Sequence, residues 1–140
     1  MNMIYYAHSG LRFLVLLLAL VALVVLARGL MGRRPYDGAA RGVMSAFVGS
    51  LHLQLVLGIV MVVMGRFYPA LIGHMVTMVL AVGAATMMSA WARRSTEAER
   101  GYKMALAGVV VSLVLIVVGI SAIGRHPLES RALDRVEGSR

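Results

Sequence analysis

Three histidines, His8, His52 and His74, and one arginine, Arg12, stand in or beside long apolar runs of a 140-residue chain and carry most of its chemical potential. The chain has no cysteine. Disulfides, iron–sulfur clusters, thiolate metal sites and haem attached through Cys are therefore excluded. The acids Asp37, Glu97, Glu99, Glu129, Asp134 and Glu137 all fall in loops or in the tail. A carboxylate proton path or a di-metal carboxylate site inside the apolar runs has no donors. No Ser–His–Asp set, phosphate loop or HExxH motif is present. What remains is imidazole, guanidinium, hydroxyl and backbone.

Two imidazoles on different helices, at one depth and facing inward, are what a b-type haem needs: one ring nitrogen on each face of the iron, with the macrocycle edges against small and aliphatic side chains. His8 with His74 is the best pair, and His52 is the alternative ligand. The second ring nitrogen of each ligand needs an acceptor; Ser9 and Thr77 stand nearby. Porphyrin propionates need cations, and Arg12, one turn after His8, and Arg66 are placed to supply them. Inward histidines also ligate chlorophyll magnesium, bond quinone carbonyls or relay protons. Plainer readings stand beside these. His8 and His74 can be interfacial, His52 with Gln54 can bond a neighbouring helix, and Arg12 can snorkel. Met61, Met64, Met75, Met78, Met87 and Met88 read as packing, and His126, before Pro127, as surface.

The elements that position these groups are membrane helices. Hydrophobic residues make up 60% of the chain, charged residues 14%, and the mean hydropathy is +0.84. That balance defines an integral membrane protein. Apolar stretches cover about 6–27, 43–65, 70–92 and 104–124, each near the ~20 residues that cross ~30 Å of hydrocarbon. The first lacks the basic flank and small-residue cleavage site of a signal peptide, so it reads as a retained span. Gly29, Gly32, Pro35 and Gly38 break the chain after it. Gly65 and Pro69 bracket a tight turn, and Ser95, Thr96 and Glu99 form a helix-start signal before the fourth stretch. The expected fold is all-α, a four-helix transmembrane bundle with a polar tail over 127–140. There is no internal repeat and no second domain.

Loop charge sets orientation. Arg28, Arg33, Arg34 and Arg41 follow the first span, and Arg93, Arg94, Arg100 and Lys103 follow the third, whereas Arg66 alone follows the second. The positive-inside rule places the first and third loops in the cytoplasm and both termini on the outer, periplasmic side of a bacterial inner membrane. The net charge of +8 then meets anionic lipid headgroups. Nucleic acid is disfavoured, because no basic surface is interleaved with aromatics.

Helical spacing groups the residues into stripes. His8, Arg12, Val15, Ala19 and Ala22 share one, and His74, Thr77, Met78, Ala81, Ala85 and Met88 another. In the second helix, Ser45, Gly49, His52, Val56 and Ile59 form the expected inward stripe, with His52 roughly 10–15 Å deeper than His74. The fourth helix offers a small-residue face, Gly108, Ser112, Gly119 and Ala122.

HSGLRF at 8–13, LHLQLVLG at 51–58, HMVTM at 74–78 and WARR at 91–94 resemble short four-helix bacterial membrane proteins of the cytochrome b-like type. The resemblance covers roughly the first 95 residues. It implies haem b as ligand and His8, His52 and His74 as functional histidines. Phe13 stands where the pattern has Trp, Gly73 where it has an acid, and GRHPLES replaces a Pro-Trp-Pro-like ending.

The leading functional expectation is a membrane electron-transfer protein or subunit binding b-type haem, with quinone as a candidate redox partner. The alternative is a non-catalytic accessory subunit of a respiratory or photosynthetic complex, packed on larger subunits or on copies of itself, its histidines holding pigment, lipid or nothing. A small transporter or sensor component is disfavoured by the missing intramembrane acids.

Overall fold

The long apolar runs contain no proline, and each closes as a single helix. A computed structural model describes residues 2–125 and 127 as α1 (Asn2–Met31), α2 (Gly38–Val63), α3 (Leu71–Arg94) and α4 (Ala98–Ala122). The expectations for His126 and for the tail beyond Pro127 fall outside the described residues. All four helices are long and apolar enough to cross a membrane, and the chain is a multi-pass membrane protein whose helix faces meet lipid. The helices extend beyond the apolar stretches at the end where α1 stops and α2 begins. There α1 runs to Met31 instead of 27, α2 starts at Gly38 instead of 43, and α4 starts at Ala98 instead of 104; at the other end α1 starts at Asn2 instead of 6. Polar residues can continue a helix past the hydrocarbon, because hydropathy limits the span and not the hydrogen-bond ladder.

Three helices stop in the same way. After α2, the Gly65 N–H bonds the Val62 carbonyl at 3.0 Å and the Arg66 N–H bonds the Met61 carbonyl at 3.1 Å, with Gly65 at φ +88°. After α4, Gly124 (φ +71°) bonds Ser121 at 2.9 Å and Arg125 bonds Ile120 at 3.4 Å. After α1, Arg33 bonds Leu30 and Arg34 bonds Gly29, at 3.2 and 3.0 Å, with Arg33 itself in the left-handed region at φ 50°. Each is a Schellman closure, and each sets an arginine immediately after the left-handed residue.

The helices run up and down, so the start of α1, the α2–α3 turn and the end of α4 lie at one end of the bundle. The α3–α4 pair packs most extensively, followed by α1–α2; α2–α3 is the sparsest of the four neighbouring pairs. Small residues explain the order. Ala81, Ala85, Ser89 and Ala92 of α3 face Gly101, Ala105, Gly108 and Ser112 of α4, all buried. Ser112 Oγ donates to the Ala81 carbonyl at 2.9 Å. Backbones can approach closely along such a seam, which is how helices associate where lipid removes the hydrophobic drive.

The core is solid at one end. Ala22, Leu26, Met44, Phe47, Ala92 and Ala105 are fully enclosed. Below them Tyr36 meets Tyr102 edge to face, with centroids 5.2 Å apart, and Tyr102 Oη donates to the Pro35 carbonyl at 3.0 Å. Gly29 admits the Tyr102 ring, since a Cβ there would overlap it. Burial pushes the Tyr36 phenol above its ordinary pKa, so it stays protonated and sheltered at this plug.

A Cβ at Gly108 would stand 2.7 Å from Met88 Cβ, whereas one at Gly83 meets nothing within 4 Å. Gly108→Val is expected to lower stability by about 1–3 kcal/mol, and Gly83→Ala to cost nothing, in thermal unfolding of the detergent-solubilised protein.

Candidate functional site

At the end opposite the tyrosine plug, the bundle is hollow. A cavity of about 480 Å³ lies among all four helices, within the ~300–1,000 Å³ range of small-molecule sites. Val15, Leu51, Val82, Ile116 and Ile120 line its inner part. Ile59 of α2 and Val79 of α3 line it on the lipid side and are more than half exposed, at 51% and 56%. The cavity therefore reaches the surface along the sparse α2–α3 seam.

His8 and His74 both line this cavity. They come from α1 and α3 and share the lining of this one hollow. Their stripes face inward as the spacing predicts: Val15, Ala19 and Ala22 below His8, and Ala81 and Ala85 below His74, are buried. His74 Nδ1 lies 3.0 Å from the Gly119 carbonyl oxygen. A carbonyl only accepts, so Nδ1 carries the proton and Nε2 holds the ring's lone pair. The acceptor is backbone from α4. Thr77, expected in that role, instead donates its hydroxyl to the Gly73 and His74 carbonyls at 3.0 and 2.9 Å.

His8 is held differently. Gln54 Nε2 donates to the His8 carbonyl oxygen at 2.9 Å and lies 3.4 Å from His8 Nε2. The backbone bond anchors the amide; the ring contact is at the long limit of a hydrogen bond. His8 Nδ1 and Gln54 Oε1 are buried with no hydrogen-bond partner among the described residues. A Cβ at Gly58 would press on His8 Cε1 at 3.3 Å, so glycine leaves the ring its space.

His52 does not join them. Its ring is exposed, and Nδ1 donates to the Val48 carbonyl one turn back at 2.8 Å. The expected stripe does not point to the centre: Gly49, His52 and Val56 are exposed, Ile59 stands at the lipid edge of the cavity and Ser45 Oγ accepts from Arg93 of α3, whereas α2 buries Ala40, Met44, Phe47, Ser50 and Leu51. The expectation that His52 points to the common centre is corrected, and Gln54, two positions on, takes the inward place.

Arg12 and Arg66 line the cavity as expected, and Arg125 joins them. Arg12 does not snorkel away; Nε is buried and the guanidinium lies 4.8 Å from the Phe13 ring centroid. Arg66 stacks on Tyr5 at 4.8 Å, and Arg125 donates to Tyr5 Oη at 3.1 Å. No acid is among the described lining residues, and no cluster of three or more His, Cys, Asp or Glu that could hold a bare metal ion occurs among the described residues. The set suits an occupant that is apolar in body, anionic at one edge and able to take a nitrogen ligand.

Sequence reasoning gave Gln54, beside His52, a bond to a neighbouring helix but no place in the site, and it missed Gly58, Tyr5 and Arg125. The last carried a readable signal, since Gly124–Arg125 repeats Gly65–Arg66 at the end of a helix on the same side. Comparison of the chain with family models, curated proteins and solved structures finds no match in any of the three, so the resemblance to cytochrome b-like proteins rests on its motifs alone.

Removing the Gln54 amide by Gln54→Leu is expected to cost about 1 kcal/mol, because the α1–α2 bond at His8 goes with it. His52→Leu, on the exposed face, is expected to leave thermal stability in micelles unchanged or raised.

Proposed function

We propose that this protein is a membrane electron-transfer protein or subunit that holds b-type haem between His8 and His74. The observation that carries the reading is the shared cavity: two imidazoles from α1 and α3 line one apolar hollow, and the His74 proton is fixed on Nδ1 by the Gly119 carbonyl. That bond orients the ring, holds the tautomer and raises the basicity of Nε2, as second-shell acceptors do for metal-bound histidine.

The residues fit the group. His8 has a buried nitrogen without a partner, and its ring is gripped only by the long Gln54 contact, so a nitrogen can be presented to iron without breaking a strong bond. Gly58 leaves room beside the ring. Val82, Ile116, Ile120 and Met78 supply an apolar wall that excludes water, and Arg12 and Arg66 supply cations for propionates. A bound haem contributes reversible one-electron transfer at iron.

The lysine and arginine side chains of the first and third loops gather at the plugged end, which supports a cytoplasmic plug and a cavity near the outer face of a bacterial inner membrane. Quinone, apolar and dissolved in the same bilayer, is the candidate exchange partner.

The purified protein is expected to show a Soret band and sharp reduced α-bands. His8→Ala and His74→Ala should each abolish haem retention, and His52→Ala should keep it. A spectrum without haem after reconstitution, or retention in both single variants, removes the proposal.

A further inference from the structure

We infer that Trp91, Arg94, Thr96, Arg100 and Met104 form a seat for one anionic phospholipid at the plugged end of the bundle, with its phosphate between the two guanidiniums and its glycerol and upper acyl chain against Trp91 and Met104. The seat is separate from the cavity at the other end and independent of what fills it.

A groove of about 450 Å³ opens where α3 turns into α4, lined by these residues and Ser95. The link between the two helices spans only 95–97, and Ser95 Oγ donates to the Glu97 carbonyl within it at 2.9 Å. Trp91 and Arg94 stand about one turn apart on α3, and Arg100 and Met104 about one turn apart on α4. Because α3 arrives at this end and α4 leaves it, both walls carry the same order of polarity. On each, the arginine stands at the outer level and the large apolar side chain about 5 Å nearer the hydrocarbon. Thr96 adds a hydroxyl at the outer level. Both arginines are exposed, and Trp91 is 46% exposed, at the headgroup depth where tryptophan anchors membrane helices. A phospholipid has this order too: charged phosphate outermost, then the ester level, then the acyl chain.

Charge selects among lipids. Asp37, Glu97 and Glu99 are the acids among the described residues; none lines the groove, and Glu99 is bonded to Lys103. Guanidinium takes phosphate through its paired N–H groups. A zwitterionic headgroup brings its own cation toward the second arginine, whereas a net-negative headgroup meets attraction from both. The extensive α3–α4 packing holds the two walls in place, so the site is formed before a lipid enters it.

Trp91 is the chain's one tryptophan, so its fluorescence reports on this groove alone. The full-length protein is placed in phosphatidylcholine bilayers, and a small fraction of brominated phosphatidylglycerol or brominated phosphatidylcholine is titrated in as a contact quencher. An occupied seat predicts that the glycerol lipid reaches half-quenching at a mole fraction about fivefold lower or more. Arg94→Gln/Arg100→Gln should erase that difference. Arg33→Gln/Arg34→Gln, which removes the same charge from the α1–α2 loop at the same end, should keep it. Quenching by brominated phosphatidylcholine, unchanged in both variants, checks that Trp91 still faces lipid. Equal quenching by the two lipids in wild type overturns the seat and leaves the groove to an acidic segment of a protein partner. A preference that survives Arg94→Gln/Arg100→Gln, or that both double variants lose equally, also overturns it, because the selection then belongs to surface charge in general and not to this groove.

Discussion

A polar side chain in hydrocarbon has no water to bond, so it must find its partner in the protein. That constraint organises the hollow half of this bundle. His74 bonds a carbonyl of α4, Gln54 bonds a carbonyl of α1, and Ser112 bonds a carbonyl of α3. Each of these bonds ties a helix to a neighbour, so polar groups that would be a burden in lipid serve as the joints of the bundle. His52 answers the same demand alone, by bonding back to its own helix. It contributes nothing to assembly and can stay on the lipid face.

The other half is governed by shape. Around Leu26, Phe47 and Tyr102, glycines and alanines let helices approach and large side chains fill what remains. Density there and space around His8 and His74 are two outcomes of one up-and-down topology. The closed end fixes the helices so that the open end can hold a cavity without collapsing.

The number of helices, their order and the turn at Gly65 were legible because length, hydropathy and punctuation encode them directly. The inward faces of α1 and α3 were legible too, since polar landmarks and small residues share one stripe on each. The rotation of α2 was not. Every face of that helix is apolar, so hydrophobicity offers no contrast in lipid. The choice fell to a polar landmark, and two were available. His52 and Gln54 are two residues apart, about 200° around the helix, so placing one inside turns the other out. Imidazole looked the costlier group to expose, yet its bond to the Val48 carbonyl reduces that cost, while the Gln54 amide bonds across to the His8 carbonyl of α1. Arg125 was not legible as a site residue, because its contact with Tyr5 is a property of the assembled bundle.

The thin packing between α2 and α3 bears on how an occupant arrives. Ile59 and Val79 stand at that seam, part wall of the hollow and part lipid surface. For a molecule dissolved among acyl chains, that seam is a route into the hollow that stays in the plane of the membrane. Its supply is then set by how strongly it partitions into the bilayer, which for a greasy molecule exceeds its aqueous concentration by orders of magnitude. Even a weakly gripping pocket can stay filled under those terms, and exchange follows lateral diffusion.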